Sequence, residues 1–195
     1  GAVAQHTAPL LLAAANKPAG FDRLVKSGGW KLPADPAVTA IPMTELAGKT
    51  AGILGWGAIG RAFGEICLAL GMRVLACRRN PDFSEERENL RFADLDTLRR
   101  ESDVLSIHCP LTEETRGMVD RRFLAGMKPG AILLNTARGA ILDEEAVAEA
   151  LDSERLAGAG VDVFAAEPAG AGNPLARHPT CVATPHVSWA ARATR

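Results

Sequence analysis

Gly55-Trp56-Gly57-Ala58-Ile59-Gly60 follows the apolar run Ala51-Gly52-Ile53-Leu54 and opens an amphipathic segment that continues to Gly71. Strand, glycine-rich turn and helix, in that order, form the setting in which G-x-G-x-x-G binds a dinucleotide. The first glycine permits the tight turn, the second lets the backbone approach a pyrophosphate, and the third lets helix and strand pack closely. The helix start then offers unpaired N–H groups and the positive end of its dipole to the phosphates. Three glycines alone can simply make a turn; the two flanks are what favour the cofactor reading.

On either side of this turn strands and helices alternate. Thr50–Leu54 reads as a strand, and the helix from Ala58 carries Ile59, Phe63, Ile66 and Leu70 as a stripe predicted to face the sheet. Met72–Cys77, Leu90–Phe92, Asp103–Ile107, Ala131–Leu134, Ala157–Val163 and Cys181–Thr184 are further strand candidates. Between them, Asp94 caps a helix to Glu101, Asp120–Leu124 is a short helix, and Asp143 caps a helix to Leu151. A Pro/Gly loop fills Ala165 to Pro179. The pattern predicts a doubly wound, mostly parallel α/β sheet with ligands at the carboxyl ends of its strands. Upstream, Val3–Ser27 reads as a helix with Leu10, Leu11, Ala14, Phe21, Leu24 and Val25 as its apolar set and interruptions at Pro9 and Pro18. The expected division is a helical segment over 1–30, a proline-rich linker over 31–45, the nucleotide domain over 46–189 and the start of a further helix over 190–195.

The totals suit one globular domain: 195 residues, 47% hydrophobic and 23% charged. A formal net charge of -1 gives no reason to expect nucleic acid or an acidic membrane as a partner. Cys67, Cys77, Cys109 and Cys181 are scattered without metal-ligand spacing, which suits reduced thiols and a cytoplasmic setting. Leu10-Leu11-Leu12-Ala13-Ala14-Ala15 has no basic segment before it and falls far short of the roughly 20 residues that span a bilayer. The chain opens on Gly1 and stops in a helical pattern, so it is expected to be part of a longer protein.

Three polar residues each follow a predicted strand: Arg138, Glu167 and His186. Singly, each has a plain reading, as a surface ion pair, a solvated loop acid and a turn residue. Together, at the edge defined by the glycine turn, they suit hydride transfer to a 2-keto acid. The guanidinium can grip a carboxylate with two parallel hydrogen bonds. The imidazole can protonate the carbonyl oxygen, and a carboxylate behind it orients the ring and favours its charged form.

Gly55–Gly60, His108-Cys109-Pro110-Leu111-Thr112, Asn135-Thr136-Ala137-Arg138-Gly139, Gly160-Val161-Asp162-Val163-Phe164 with Glu167-Pro168, and Thr184-Pro185-His186-Val187-Ser188-Trp189 together resemble the D-isomer-specific 2-hydroxyacid dehydrogenases. The resemblance covers nearly the whole chain and implies a Rossmann-type fold with Arg138 as substrate anchor and Glu167 and His186 as the acid–base pair. It implies that Gly55, Gly57, Ala58, Ile59 and Gly60 lie at the pyrophosphate and Cys109 and Pro110 near the adenosine. Thr136, Ala137, Arg138, Asp162, His186, Ser188 and Trp189 would surround the nicotinamide, with Asp162 meeting the carboxamide. The Leu46-Ala47-Gly48-Lys49 and Trp189-Ala190-Ala191-Arg192 stretches lean towards glycerate dehydrogenases (hydroxypyruvate reductases), hence hydroxypyruvate or glyoxylate. The family's flavodoxin-like substrate domain is largely missing from the chain, so these residues alone are expected to bind nucleotide with little or no turnover. The N-terminal helix resembles the interdomain crossover, which implies a homodimer.

One position departs from the NAD pattern, which sets an acid about 20 residues beyond the glycines. Here the second strand ends Ala76-Cys77-Arg78-Arg79-Asn80, with no carboxylate before Asp82. Two guanidiniums would welcome the 2′-phosphate of NADP, so the expected cofactor is NADP or NAD, with Arg78 and Arg79 favouring NADP. Trp56 is expected to point into the interdomain space. Competing readings are a dinucleotide-sensing, corepressor-like binding protein and a family member acting on formate or phosphite.

Overall fold

The computed structural model describes residues 1–33 and 35–191. Seven runs rich in small and branched apolar residues form the strands: β1 (Thr50–Leu54), β2 (Arg73–Cys77), β3 (Leu90–Phe92), β4 (Val104–Ile107), β5 (Ala131–Asn135), β6 (Leu156–Val161) and β7 (Cys181–Ala183). They lie in the order β3-β2-β1-β4-β5-β6-β7, and every neighbouring pair is parallel. Parallel pairing needs crossovers, and α4 (Ala58–Ala69), α5 (Leu95–Glu101), α6 (Arg121–Ala125), α7 (Glu144–Asp152) and α8 (Pro174–Arg177) supply them. Ahead of the sheet come α1 (Ala2–Asn16), α2 (Pro18–Lys26) and α3 (Pro36–Thr39).

Alternate strand residues feed two cores, so the sheet is covered on both faces. Leu105, Ile107 and Leu133 meet Leu98 of α5, Phe123 of α6 and Val147 of α7 on one side. Ile53, Val74, Ile132 and Leu134 meet Leu11 of α1 and Phe63 of α4 on the other. α5, α6 and α7 begin where Asp94, Asp120 and Asp143 accept from the backbone N–H of Thr97, Phe123 and Ala146. The caps at Asp94 and Asp143 are the ones expected, and Asp120, read as the first helical residue, is the cap of α6.

Several local expectations change. α1 runs through Pro9. The carbonyl that Pro9 leaves unpaired belongs to Gln5, and both residues are exposed, so water can satisfy it while buried Leu10, Leu11 and Ala14 hold the helix down. The break falls instead at Lys17, whose φ of 49° turns the chain into α2. Of the predicted apolar set, Phe21 and Leu24 are half-buried and Val25 is exposed. The linker contains α3, which Asp35 caps ahead of Pro36 at the first helical position, a start the proline count obscured. The buried stripe of α4 is Gly60, Phe63, Gly64 and Cys67 rather than the one predicted. Ile66 and Leu70 are half-buried, and Ile59 stands 42% exposed at the mouth of the glycine turn. Ala190 and Ala191 are not helical, and the rest of the helix expected over 190–195 lies outside the described residues. No helix among the described residues is long and apolar enough to cross a membrane.

Candidate active site

The glycine turn leaves β1 with Gly55 at φ 103°, where a side chain is strained, and a Cβ there would stand 2.5 Å from the Cys109 nitrogen. A Cβ on Gly60 would stand 2.1 Å from the Gly55 carbonyl oxygen, so only glycine lets α4 close onto β1. Gly57 is different: a Cβ there would meet nothing within 4 Å, because the backbone faces open space. Gly57, Ala58 and Ile59 are all exposed, and no side chain caps α4. The helices after β3, β4 and β5 have aspartate caps, so this start alone among those four keeps its first N–H groups for an outside acceptor. The turn opens onto a cavity of about 880 Å³ lined by Gly55, Gly57, Arg78, Arg79, Cys109 and Pro110, among others. Burial pushes the Cys109 thiol up to about 11, so it lines the wall as a protonated, unreactive group. These features fit the pyrophosphate and adenosine of a dinucleotide.

Arg78 and Arg79 flank that cavity but are not bare. Arg79 Nη2 donates to Glu114 Oε2 at 2.7 Å in an exposed pair, and Arg78 stands 3.9 Å from Glu85 Oε1. Glu85 is the carboxylate the sequence reading passed over. It also pairs with both terminal guanidinium nitrogens of Arg61 and accepts from the Trp56 indole at 2.9 Å. Trp56 accordingly does not project into open space. It is 3% exposed, edge-on to Phe92 at 6.3 Å, and lies where a Cβ on Gly64 would be.

The second half of the site forms where β5, β6 and β7 end together, since Asn135 pairs with Val161 and Val161 with Ala183. His186 Nδ1 lies 2.6 Å from Glu167 Oε2, and the other oxygen of Glu167 accepts from the Phe164 N–H at 2.9 Å. Burial raises the Glu167 carboxyl, but the Phe164 N–H and the His186 ring outweigh it and hold the acid below its ordinary value. An ionised Glu167 only accepts, so Nδ1 carries a proton and Nε2 has no protein partner among the described residues. Glu144, the first residue of α7, accepts from the Ala165 N–H and the Asn173 amide and so pins the loop that carries Glu167.

His186 has φ 52°, a left-handed conformation that costs roughly 1–2 kcal/mol outside glycine. Asp162 holds it there. Its fully buried carboxylate accepts from Thr184 Oγ1 at 2.6 Å, the Val187 N–H at 2.9 Å and the Ser188 N–H at 2.9 Å. Burial raises the Asp162 carboxyl, and those donors more than reverse the effect. Trp189 donates its indole N–H to the His186 carbonyl at 2.7 Å. On the neighbouring loop, buried Asn135 accepts from the Ala137 N–H and donates to the Arg138 carbonyl, both at 3.0 Å. The Arg138 side chain is exposed, donates to the Ala137 carbonyl at 2.7 Å, and has no acid within ion-pair distance among the described residues. The surface ion pair that would have explained it is missing there. Thr136 is buried, with Oγ1 3.0 Å from Thr7 Oγ1.

Arg138, Glu167 and His186 thus stand on adjacent loops at one sheet edge, as the strand ends predicted. Asn135, Glu144 and Thr184 support them and were missed. Asn135 had a local signal, since Asn after a strand commonly bonds the backbone two residues on. The other two act across folds of the chain that spacing does not reveal.

Residues 8–188 match the model of the D-isomer specific 2-hydroxyacid dehydrogenase, NAD binding domain. The chain belongs to this family. Its sheet order and flanking helices are the Rossmann type. The chain is 41% identical over 193 residues to a hydroxypyruvate reductase of Blautia hydrogenotrophica, covering 99% of this chain and 60% of that one. It is 43% identical over 195 residues to glyoxylate/hydroxypyruvate reductase B of Pectobacterium carotovorum, with the same coverage of 99% and 60%. The TT0316 protein of Thermus thermophilus superposes with a TM-score of 0.89 at 42% identity, covering 100% of this chain and 60% of that one. The domain therefore spans about 60% of the length of these relatives.

Proposed function

We propose that this domain serves an oxidoreductase that reduces a 2-keto acid, hydroxypyruvate or glyoxylate, to the D-2-hydroxy acid with a nicotinamide dinucleotide. The observation that carries the reading is the 2.6 Å contact between Glu167 and His186 at the edge where Arg138 stands without an acid among the described residues. The relatives' names, hydroxypyruvate reductase and glyoxylate/hydroxypyruvate reductase, support the substrate class. The dinucleotide, held by the glycine turn and the uncapped start of α4, supplies a hydride when bound. Arg138 grips the substrate carboxylate in a two-pronged hydrogen bond and so sets which face of the carbonyl is presented. His186 presents Nε2 to the carbonyl oxygen as the proton donor, because Glu167 fixes Nδ1–H and with it the orientation of the ring. The resemblance gives Asp162 to the carboxamide, but this carboxylate is fully buried under the Thr184 hydroxyl and the Val187 and Ser188 N–H groups, so its part is to hold the loop against which the nicotinamide would lie.

For the cofactor we favour NADP over NAD. Among the described residues Arg79 is held only by an exposed ion pair, of a kind worth about 0.2–1 kcal/mol, and Arg78 stands beyond hydrogen-bond distance of Glu85. A phosphate dianion can recruit both guanidiniums against such weak competition. The test is kcat/KM of the complete protein with NADPH and NADH against hydroxypyruvate, glyoxylate, pyruvate, formate and phosphite. Turnover of the first two with NADPH preferred, and loss of that preference in Arg78→Asp, is expected. Turnover of formate or phosphite alone would overturn the substrate, and a strong NADH preference would overturn the cofactor.

A further inference from the structure

The last side chain to touch the His186 loop comes from the opposite end of the chain. His6, in the second turn of α1, places Nε2 3.0 Å from Thr184 Oγ1 and 3.5 Å from Asp162 Oδ1. Counting protons fixes the direction of these bonds. Thr184 has one hydroxyl proton, and Asp162, held ionised by its donors, can only accept, so the 2.6 Å bond takes that proton. Thr184 Oγ1 is then an acceptor towards His6, and His6 must carry a proton on Nε2. The same count applies one residue on. Thr7 donates to the Val3 carbonyl at 2.8 Å, so at the 3.0 Å contact it is Thr136 that donates to Thr7. One turn of α1 therefore grips both loops of the site, after β5 through Thr136 and after β7 through Thr184.

The height of that turn above the sheet is fixed by packing. Leu10 and Ala14 lie on Gly160 and Gly158 of β6, and a Cβ on Gly160 would come within 3.0 Å of Leu10 Cβ. His6 is thus delivered to one place at the catalytic edge by a helix seated on the strand that ends at Asp162.

We propose that His6 is a positioning residue: its Nε2–H orients Thr184, Thr184 and His6 together hold Asp162, and Asp162 fixes the Val187 and Ser188 N–H groups that keep His186 aimed at Glu167. The proposal builds on the reading of His186 as the acid–base group, but its test reads the His186 ring itself and not turnover. With only four histidines in the chain, 15N-histidine long-range NMR resolves each ring in the 195-residue protein. The wild type is expected to show His6 as the Nε2–H tautomer and His186 with a slowly exchanging Nδ1–H. His6→Leu is expected to lose the slow His186 signal while keeping its melting temperature, and His6→Gln, which restores an N–H donor, is expected to regain it. Should His6→Leu fail to fold, Thr184→Val interrupts the same relay at constant shape and is expected to lose the signal. A wild-type His6 in the Nδ1–H form, or an unchanged His186 signal in the folded His6→Leu or Thr184→Val protein, overturns the proposal. Loss of the signal in a complete protein that turns over no 2-keto acid would overturn the functional reading and leave this one standing.

Discussion

His186 and His108 show how one side chain takes opposite roles in a single sheet. His186 is half-exposed, faces a carboxylate and keeps Nε2 turned to the cleft. His108, just past β4, bonds Ser106 Oγ at 2.8 Å and packs on the Phe63 ring, and burial lowers its imidazole to about 4. The folded protein therefore refuses a proton that the unfolded chain accepts from about pH 6.5 downward. The His108 contribution to stability is full above that pH, falls between it and about pH 4, and levels off below, a loss on the order of 3 kcal/mol. Urea unfolding of His108→Gln across this range is expected to remove that slope; an unchanged slope would contradict the burial argument. At this scale the sequence was informative where a residue's place alone decided its role. Arg138, Glu167 and His186 follow strands, and strand ends converge in any parallel sheet. Trp56, Ile59 and Glu85 were misplaced or passed over because their surroundings depend on partners elsewhere. Trp56 and Arg61 meet Glu85 at separations of 29 and 24 residues, and His6 meets Thr184 at 178.

Among the elements, the β1–turn–α4 unit combines two demands that substitution can separate. Gly60→Ala forces a Cβ against the Gly55 carbonyl and is expected to cost about 1–3 kcal/mol and to lose dinucleotide binding as well. Gly57→Ala meets no protein atom, so it is expected to keep its melting temperature and lose affinity only, because the methyl stands where the phosphates approach. Thermal melts with and without NADPH check both, and equal melting temperatures for the two variants would contradict the division. Strands and aspartate caps were legible because each is a local pattern of a few residues. The stripe of α4 was not. Hydrophobicity pointed to Ile59, whereas glycines at 60 and 64 mark the face that must approach most closely, Gly60 to β1 and Gly64 to the Trp56 ring.

Across the whole molecule, one sheet edge gathers the glycine turn, the arginine pair and the Arg138–Glu167–His186 set, while α1 ties its N-terminal turn to that edge. The parallel topology was legible from strand–helix alternation, and it brought residues from three distant loops together. The role of α1 as a layer of the same core was not legible, since an apolar helix face suits this sheet as well as a second subunit. What the assembled edge is for rests on the bond between Glu167 and His186. The direct measurement is hydroxypyruvate reduction by the complete protein with and without Glu167→Gln, alongside the dinucleotide Kd of each. A fall in kcat of about 10²–10⁴-fold with Kd unchanged is expected; turnover by Glu167→Gln equal to the wild type would overturn the role given to this pair.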